Sequence, residues 1–226
     1  MTVTLVTGAN KGLGFETARQ LIERGHTVYI GARSVERGDA AAAKLGGQFV
    51  QLDVTDDASV RTAFAFISSR EGHLDVLVNN AGVSTTADIN GQIALEVFDT
   101  NATGIIRVTQ AALPLLRGLR TRWWSTSRAH LAPSGRSPIR GDASSTSLPL
   151  STARAKPPML TVQYAKALPE IKFNAVEPGF TATDLTPFSG AGQPIEKGAE
   201  VIVRMATIGK DGPTGTFQEG DGELDW

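Results

Sequence analysis

The sequence predicts an α/β fold: a doubly wound parallel sheet with helices on both faces, three layers α/β/α. Three observations predict it. Short apolar runs alternate with helix-period segments at βαβ spacing, the first run ends in a glycine-rich turn that opens a helix, and the composition is that of an ordinary folded domain. The chain has 226 residues, 41% hydrophobic and 20% charged, with 22 Lys+Arg against 23 Asp+Glu. That length suits one domain, 1–226, with a sizeable core. A formal charge of -1 argues against a dedicated nucleic-acid partner. The absence of Cys excludes disulfides, thiolate metal sites and a cysteine nucleophile. No apolar run approaches the roughly 20 residues that span a bilayer, and the N-terminus goes straight into a strand-like run, so no signal peptide is expected. A soluble, cytoplasmic protein is the expectation.

Each element follows from its pattern. Residues 2–7 (TVTLVT) read as a buried strand, and 13–24 as a helix with Ala18, Leu21 and Ile22 on one face and Gly25 ending it. Residues 27–31 read as the second strand, 35–45 as an Ala-rich helix stopped at Gly46-Gly47, and 48–52 as the third strand. Residues 59–70 place Val60, Phe64 and Ile67 at helical spacing, and 74–78 (LDVLV) form the fourth strand. A long helix runs from about 93 to about 116, with an irregularity near Gly104. The pattern resumes with a helix at 161–168, a strand at 171–176, an amphipathic helix at 196–208 and a short strand at 214–217. The acids of 219–225 (EGDGELD) read as a solvated tail, with Trp226 against the sheet edge. Strands alternating with helices in this way give parallel pairing with both sheet faces covered.

One stretch breaks the pattern. Residues 117–158 hold eight basic residues and one acid (Asp142), eight Ser, five Pro and two of the three Trp, with no strand or helix period. By composition it is a disordered basic insertion, an interaction loop for an acidic partner. Its length inside a compact domain counts against that reading.

The run Thr7-Gly8-Ala9-Asn10-Lys11-Gly12-Leu13-Gly14 lies between strand and helix. A tight turn of this kind needs glycine for positive φ and for close approach of a pyrophosphate, which the helix N-terminus then meets with free N–H groups. Arg33 follows the second strand, where an adenosine ribose would lie. An acid there would bond a free 2′-hydroxyl, whereas a base pairs with a 2′-phosphate. With Lys11 as a second cation, NADP is favoured over NAD.

These residues and four further motifs resemble the short-chain dehydrogenase/reductase family. The matches are T-G-x-x-x-G-x-G at 7–14, Asp53 after the third strand, Asn79-Asn80-Ala81-Gly82 after the fourth, Asn101 in the long helix and Pro178-Gly179 after the sixth. Lys11 resembles the carbonyl-reductase-like members. The resemblance covers nearly all of 1–116 and 159–226. It implies one Rossmann-type domain of seven parallel strands and a nicotinamide cofactor. By motif, Gly8, Asn10, Lys11, Gly12, Leu13 and Gly14 would hold the diphosphate side, and Asp53 with Val54 the adenine. Asn80-Ala81-Gly82 would line the adenosine ribose, and Pro178-Gly179 with Thr181 and Thr183 would face the nicotinamide. Asn101 would be the catalytic residue that anchors a proton-relay water.

The family also implies a Tyr with a Lys four residues on, and a Ser that orients the carbonyl. The Tyr-x-x-x-Lys pair is missing. Tyr29 lies inside the second strand, and Tyr164 is followed by Lys166 at a spacing of two, which puts them on different helix faces. Tyr164 reads as a packing residue. The odd stretch explains the absence if 117–158 are read in a shifted frame. With Arg as CGN and Ser as TCN, residues 122–129 (RWWSTSRA) are CGN TGG TGG TCN ACN TCN CGN GCN. Read from each third base, they permit Leu-Val-Val-Asn-Val-Ser-Ser, the family's fifth strand and its Ser. The same shift over 150–158 permits Tyr-Gly-Pro-Ser-Lys-Ala-Ala, with Tyr and Lys at the required spacing. Taken as written, the stretch predicts a disrupted fifth strand and following loop. Trp123-Trp124-Ser125-Thr126 is the run that could occupy the strand's slot, and Pro157-Pro158 would delay the next helix to about Met159.

Other chemistry is weaker. His26, His73 and His130 have no ligand spacing, so no metal site is expected. Ser125, Ser127 and His130 lack the surroundings of a hydrolase nucleophile. The expected function is therefore an NADP-dependent oxidoreductase moving hydride between the cofactor and a small-molecule carbonyl or secondary alcohol, impaired as written. The alternative is a non-catalytic NADP(H)-binding sensor. A homo-oligomer is compatible with the sequence, and the segment 180–194 would set substrate choice.

Overall fold

The computed structural model describes residues 1–84, 90–116, 123–127, 157–183 and 192–225, with backbone alone at 123–127 and 157–158. In chain order the elements are β1 (Val3–Thr7), α1 (Gly12–Glu23), β2 (Thr27–Ala32), α2 (Val35–Leu45), β3 (Gln48–Gln51), α3 (Asp57–Glu71) and β4 (Val76–Asn79). There follow α4 (Gly91–Phe98), a π-turn (Asp99–Thr103), α5 (Gly104–Leu116), β5 (Trp123–Ser127), α6 (Pro157–Ala167), β6 (Lys172–Val176), α7 (Ile195–Ala206), β7 (Thr216–Glu219) and β8 (Gly222–Leu224). They form one eight-stranded sheet in the order β3-β2-β1-β4-β5-β6-β7-β8. The first seven strands pair parallel, and β8 joins the edge antiparallel to β7.

Alternation along each strand divides the core in two. Leu5, Tyr29, Leu77 and Phe173 point to the side of α3 and α5, packing with Phe64, Ile67, Val108 and Ala112. Val6, Val28, Ile30, Val76, Val78 and Val176 point to the other side, where Leu21, Ala41, Ile202 and Met205 receive them. Strands buried on both faces are the reason their sequences read as near-continuous apolar runs. The helices carry their own start signals. Ser34 caps α2, Asp56 caps α3 through the amide of Ala58 at 2.7 Å, and Asn90 caps α4 through that of Ile93 at 3.0 Å.

Three expectations need correction. The fifth strand is not lost from the backbone: Trp123–Ser127 fills the slot, with Trp124 opposite Leu77 on one side and Phe173 on the other. The loop expected to be disrupted after it, 128–156, lies outside the described residues. The acidic tail is not merely solvated, because Gly222–Leu224 forms β8 against β7, while Trp226 lies outside the described residues. Helix α6 begins at Pro157 rather than Met159, since proline suits a first turn whose amides have no helical acceptor. Elsewhere the elements fall within a few residues of their expected bounds. The irregularity expected near Gly104 is the π-turn directly before it. Tyr164 packs as expected, stacked on Phe173 with ring centroids 5.3 Å apart.

At the amino-terminal edge of the sheet, His26 Nδ1 lies 2.9 Å from Thr4 Oγ1. Burial pushes His26 below the ordinary histidine value; Asp75 opposes this and Arg24 adds to it. The unfolded chain therefore binds more protons. This stability is present above about pH 6.5 and is lost as pH falls toward the folded value. Urea midpoints should drop between about pH 7.5 and pH 5, and His26→Gln should flatten that slope. An unchanged slope in the variant removes His26 as its source.

Candidate functional site

Strand order reverses between β1 and β4: β2 follows on one side and β5 on the other. Chains leaving the carboxyl ends of such a pair diverge and open a crevice. The sequence-singled residues gather at these ends. Gly8 and Gly12 of the first turn have φ of 65° and 58°. A Cβ on Gly14 would stand 2.3 Å from Asn80 Nδ2 and 2.8 Å from the Gly8 carbonyl. Only glycine allows that approach of α1 to the turn after β4.

Thr7 fastens the two turns together. Its Oγ1 accepts from the amides of Asn80 at 3.0 Å and Ala81 at 2.9 Å, and donates to the Val78 carbonyl at 3.4 Å. Asn80 answers by donating Nδ2 to the carbonyls of Thr7 at 2.9 Å and Gly8 at 3.3 Å. Helix α1 starts at this junction without side-chain capping from Lys11 and with no acid in its first turn. Its positive end thus keeps the character that suits an anion. Asn10 and Leu13 are half-buried and Lys11 is exposed.

At the next strand ends, Arg33 is exposed just beyond β2, and Asp53 is half-buried beyond β3. Asp53 Oδ1 accepts from the Thr55 amide at 2.9 Å and the Thr55 hydroxyl at 2.7 Å. Among the described residues Oδ2 takes no bond. Burial alone raises the Asp53 pKa, but the Thr55 bonds and the charges of Arg33 and Arg107 hold it below the usual carboxylate value. Asp53 therefore stays an acceptor at neutral pH. Val54 is buried.

Asn101 stands in the π-turn, a feature that recurs at functional sites. It clamps the segment after β4: Oδ1 accepts from the Val83 amide and Nδ2 donates to the Val83 carbonyl, both at 2.8 Å. A Cβ on Gly82 would lie 3.3 Å from Asn101 Oδ1. Beyond β6, Gln193 Nε2 donates to the Pro178 carbonyl. The amide of Gln193 reaches the Phe180 carbonyl at 2.8 Å. Thr181 is turned inward. It is 2% exposed and donates to the carbonyls of Pro178 at 3.3 Å and Gly179 at 3.2 Å, so its hydroxyl serves the turn itself. Thr183 is half-buried. The fifth-strand end and the residues read for Tyr and Lys lie outside the described side chains.

Sequence reading missed the locking role of Thr7 within the motif, the Gln193 latch and Arg107. Arg107 alone carried a signal: a lone arginine within the apolar run GIIRVTQAALPLL. Among the described residues no three His, Asp or Glu could hold a metal, and no helix is long and apolar enough to cross a membrane.

Topology and glycine turn together define the doubly wound α/β class. A family model described as short chain dehydrogenase matches residues 2–122. Short-chain dehydrogenase/reductase ATR10 of Stachybotrys chlorohalonatus is 35% identical over 96% of this chain and 87% of its own. The (-)-isopiperitenone reductase of Mentha piperita is 31% identical over 94% of each. The chain belongs to the short-chain dehydrogenase/reductase family of oxidoreductases. The solved salutaridine reductase of Papaver somniferum superposes with a TM-score of 0.80 at 26% identity, over 96% of this chain and 99% of that one. A gluconate 5-dehydrogenase of Burkholderia cenocepacia shares the fold, with a TM-score of 0.82 at 21% identity over 96% of this chain and 92% of that one.

The Thr7 lock is testable by stability. Thr7→Val takes the acceptor from the Ala81 amide and leaves the Asn80 amide with the Val78 carbonyl at 3.0 Å, and should cost about 1–3 kcal/mol in urea unfolding. Thr7→Ser keeps Oγ and should recover most of it. A loss in Thr7→Ser with none in Thr7→Val, which keeps the methyl, would assign the effect to that group's packing instead.

Proposed function

We propose that the chain binds NADP(H) across the crevice at the carboxyl ends of the strands, in one domain spanning 1–226. The observation that carries this is the glycine turn at the head of α1, fastened by Thr7 and Asn80 to the turn after β4. The donor set fits a dinucleotide: an uncapped helix end for the diphosphate, and Arg33 with Lys11 as cations for a 2′-phosphate. Asp53 offers an ionised acceptor for the adenine amine, with Val54 beside it. Asn80, Ala81 and Gly82 would line the ribose. The turn from Pro178 and Gly179 to Thr183 would present backbone groups to the nicotinamide, with Thr181 holding its shape. Asn101 would hold the segment after β4 in place beside the reacting carbonyl.

Once bound, the nicotinamide supplies a hydride to a carbonyl carbon, and the carbonyl oxygen must then receive a proton. This chain offers no tyrosine for that. Tyr29 is fully buried and donates to Glu71 at 2.7 Å. Burial, reinforced by Glu71, pushes it up to about 12. Tyr164 is engaged with Gln110 at 2.9 Å and with the Phe173 ring. Turnover of the chain as written is therefore very low. The shifted reading of 117–158 supplies both missing pieces, a strand ending in Ser and a Tyr-x-x-x-Lys pair. It is supported by a likeness to relatives that extends over 96% of the chain, beyond both ends of the stretch. The lack of the pair equally favours the second reading, an NADP(H)-binding protein without catalysis.

Fluorescence titration with NADPH, followed by absorbance on adding a carbonyl panel, decides among these. The chain as written should bind and turn over negligibly. A frame-restored chain should gain on the order of 10²–10⁴ in rate. Binding without reduction after repair leaves the sensor, and no binding by either chain overturns both readings. DNA sequence across codons 115–160 tests the frame itself. In the same titration Arg33→Ala should weaken NADPH about tenfold and NADH by no more than about twofold. Equal weakening would remove Arg33 as the 2′-phosphate contact.

A further inference from the structure

We infer that Arg107 is a positioning residue: it holds the Asp53–Val54 turn in register for adenine and ties that turn to the π-turn bearing Asn101. The inference rests on the cofactor reading above and deepens it.

Arg107 projects from the first turns of α5 with its side chain 17% exposed. Its three nitrogens reach three separate segments. Nη1 donates to the Val54 carbonyl at 2.6 Å, in the turn after β3. Nε meets Asp57 Oδ1 at 2.5 Å, in the first turn of α3. Nη2 meets Asp99 Oδ1 at 3.2 Å, two residues before Asn101. A planar guanidinium can serve three acceptors in fixed directions, which a lysine ammonium on a flexible stem cannot.

A second contact acts on the same turn. A Cβ on Gly104 would lie 3.0 Å from Val54 Cγ2, so α5 presents bare backbone where Val54 packs. Val54 is thus held at both carbonyl and side chain by the first turn of α5. Asp53, the residue before it, keeps Oδ2 without a bond among the described residues while Thr55 engages Oδ1. The carboxylate's remaining oxygen is carried on a backbone whose next carbonyl is bonded by Arg107.

The chemistry makes a base-selective test possible. Adenine presents a 6-amino donor to Asp53, whereas hypoxanthine presents an oxygen there and leaves the carboxylate unpaired. Full-length protein is titrated with NADPH and with its hypoxanthine analogue, deamino-NADPH. The wild-type chain should prefer NADPH by about tenfold. Arg107→Met should bring that ratio close to one. A variant that is merely loosened binds both cofactors more weakly but keeps the ratio. Arg107→Lys retains the charge with fewer directed donors and should give an intermediate ratio; it also serves if the methionine variant does not fold. A wild-type ratio preserved in both variants overturns the inference, as does a wild-type chain that binds both analogues equally. A wild-type chain that binds neither overturns the cofactor reading itself.

Discussion

Parallel pairing of β1 with β4 is the constraint from which the site follows. Thr4, Leu5 and Val6 stand opposite Val76, Leu77 and Val78, joining stretches some 70 residues apart in sequence. Both strands bury side chains on both faces, so neither can be solvated on one side if the pairing fails. The residues beyond β1 turn toward β2 and those beyond β4 toward β5, which leaves the crevice above the pair. The Thr7 hydroxyl then converts a packing arrangement into a defined geometry. It accepts from the Ala81 amide and gives the Asn80 amide a second acceptor beside the Val78 carbonyl.

From that junction, charge is divided along the carboxyl edge. The positive helix end and the cations Lys11 and Arg33 occupy the side of β1 and β2. The ionised Asp53 lies one strand further, beyond β3, where it stays ionised because Thr55 and two nearby guanidinium groups outweigh its burial. The other direction along the edge carries backbone turns in place of charges: the Val83 segment clamped by Asn101, and the turn after β6 latched by Gln193. Long-range side-chain bonds to main-chain groups therefore set the loop shapes, while the strands set only where the loops begin.

This division explains how much the sequence could tell. Features encoded within one helical turn or one strand were legible: α2 has the bounds its Ala-rich pattern and Gly46 predict, and the glycine turn announced the crevice. The break in the long helix was legible too, because Gly104 interrupts the apolar stripe just where the π-turn ends. Strand β8 was not legible, since three residues around Gly222 carry no alternation and form a strand only by completing the edge of β7. The bonding partners of Arg107 and Gln193 were illegible for another reason. Their acceptors lie 53 and 15 residues away, and no local pattern encodes a bond to a distant carbonyl. The inward turn of Thr181 likewise depends on its neighbours' carbonyls and on burial beside α7.

The same logic accounts for how binding and chemistry can come apart in one chain. On the proposed reading, the cofactor contacts are spread over several strand ends, each encoded by a short run that lies outside 117–158. The proton-transferring pair is different in kind. It needs two residues one helical turn apart, so a single displaced frame removes both together with the serine of the preceding strand. The strand slot is filled at the level of backbone, because Trp123–Ser127 offers amides and carbonyls to β4 and β6. Sheet pairing asks only for backbone and β-compatible residues, whereas proton transfer asks for one phenol and one ammonium at fixed positions. A fold can therefore survive a substitution of content that its chemistry does not.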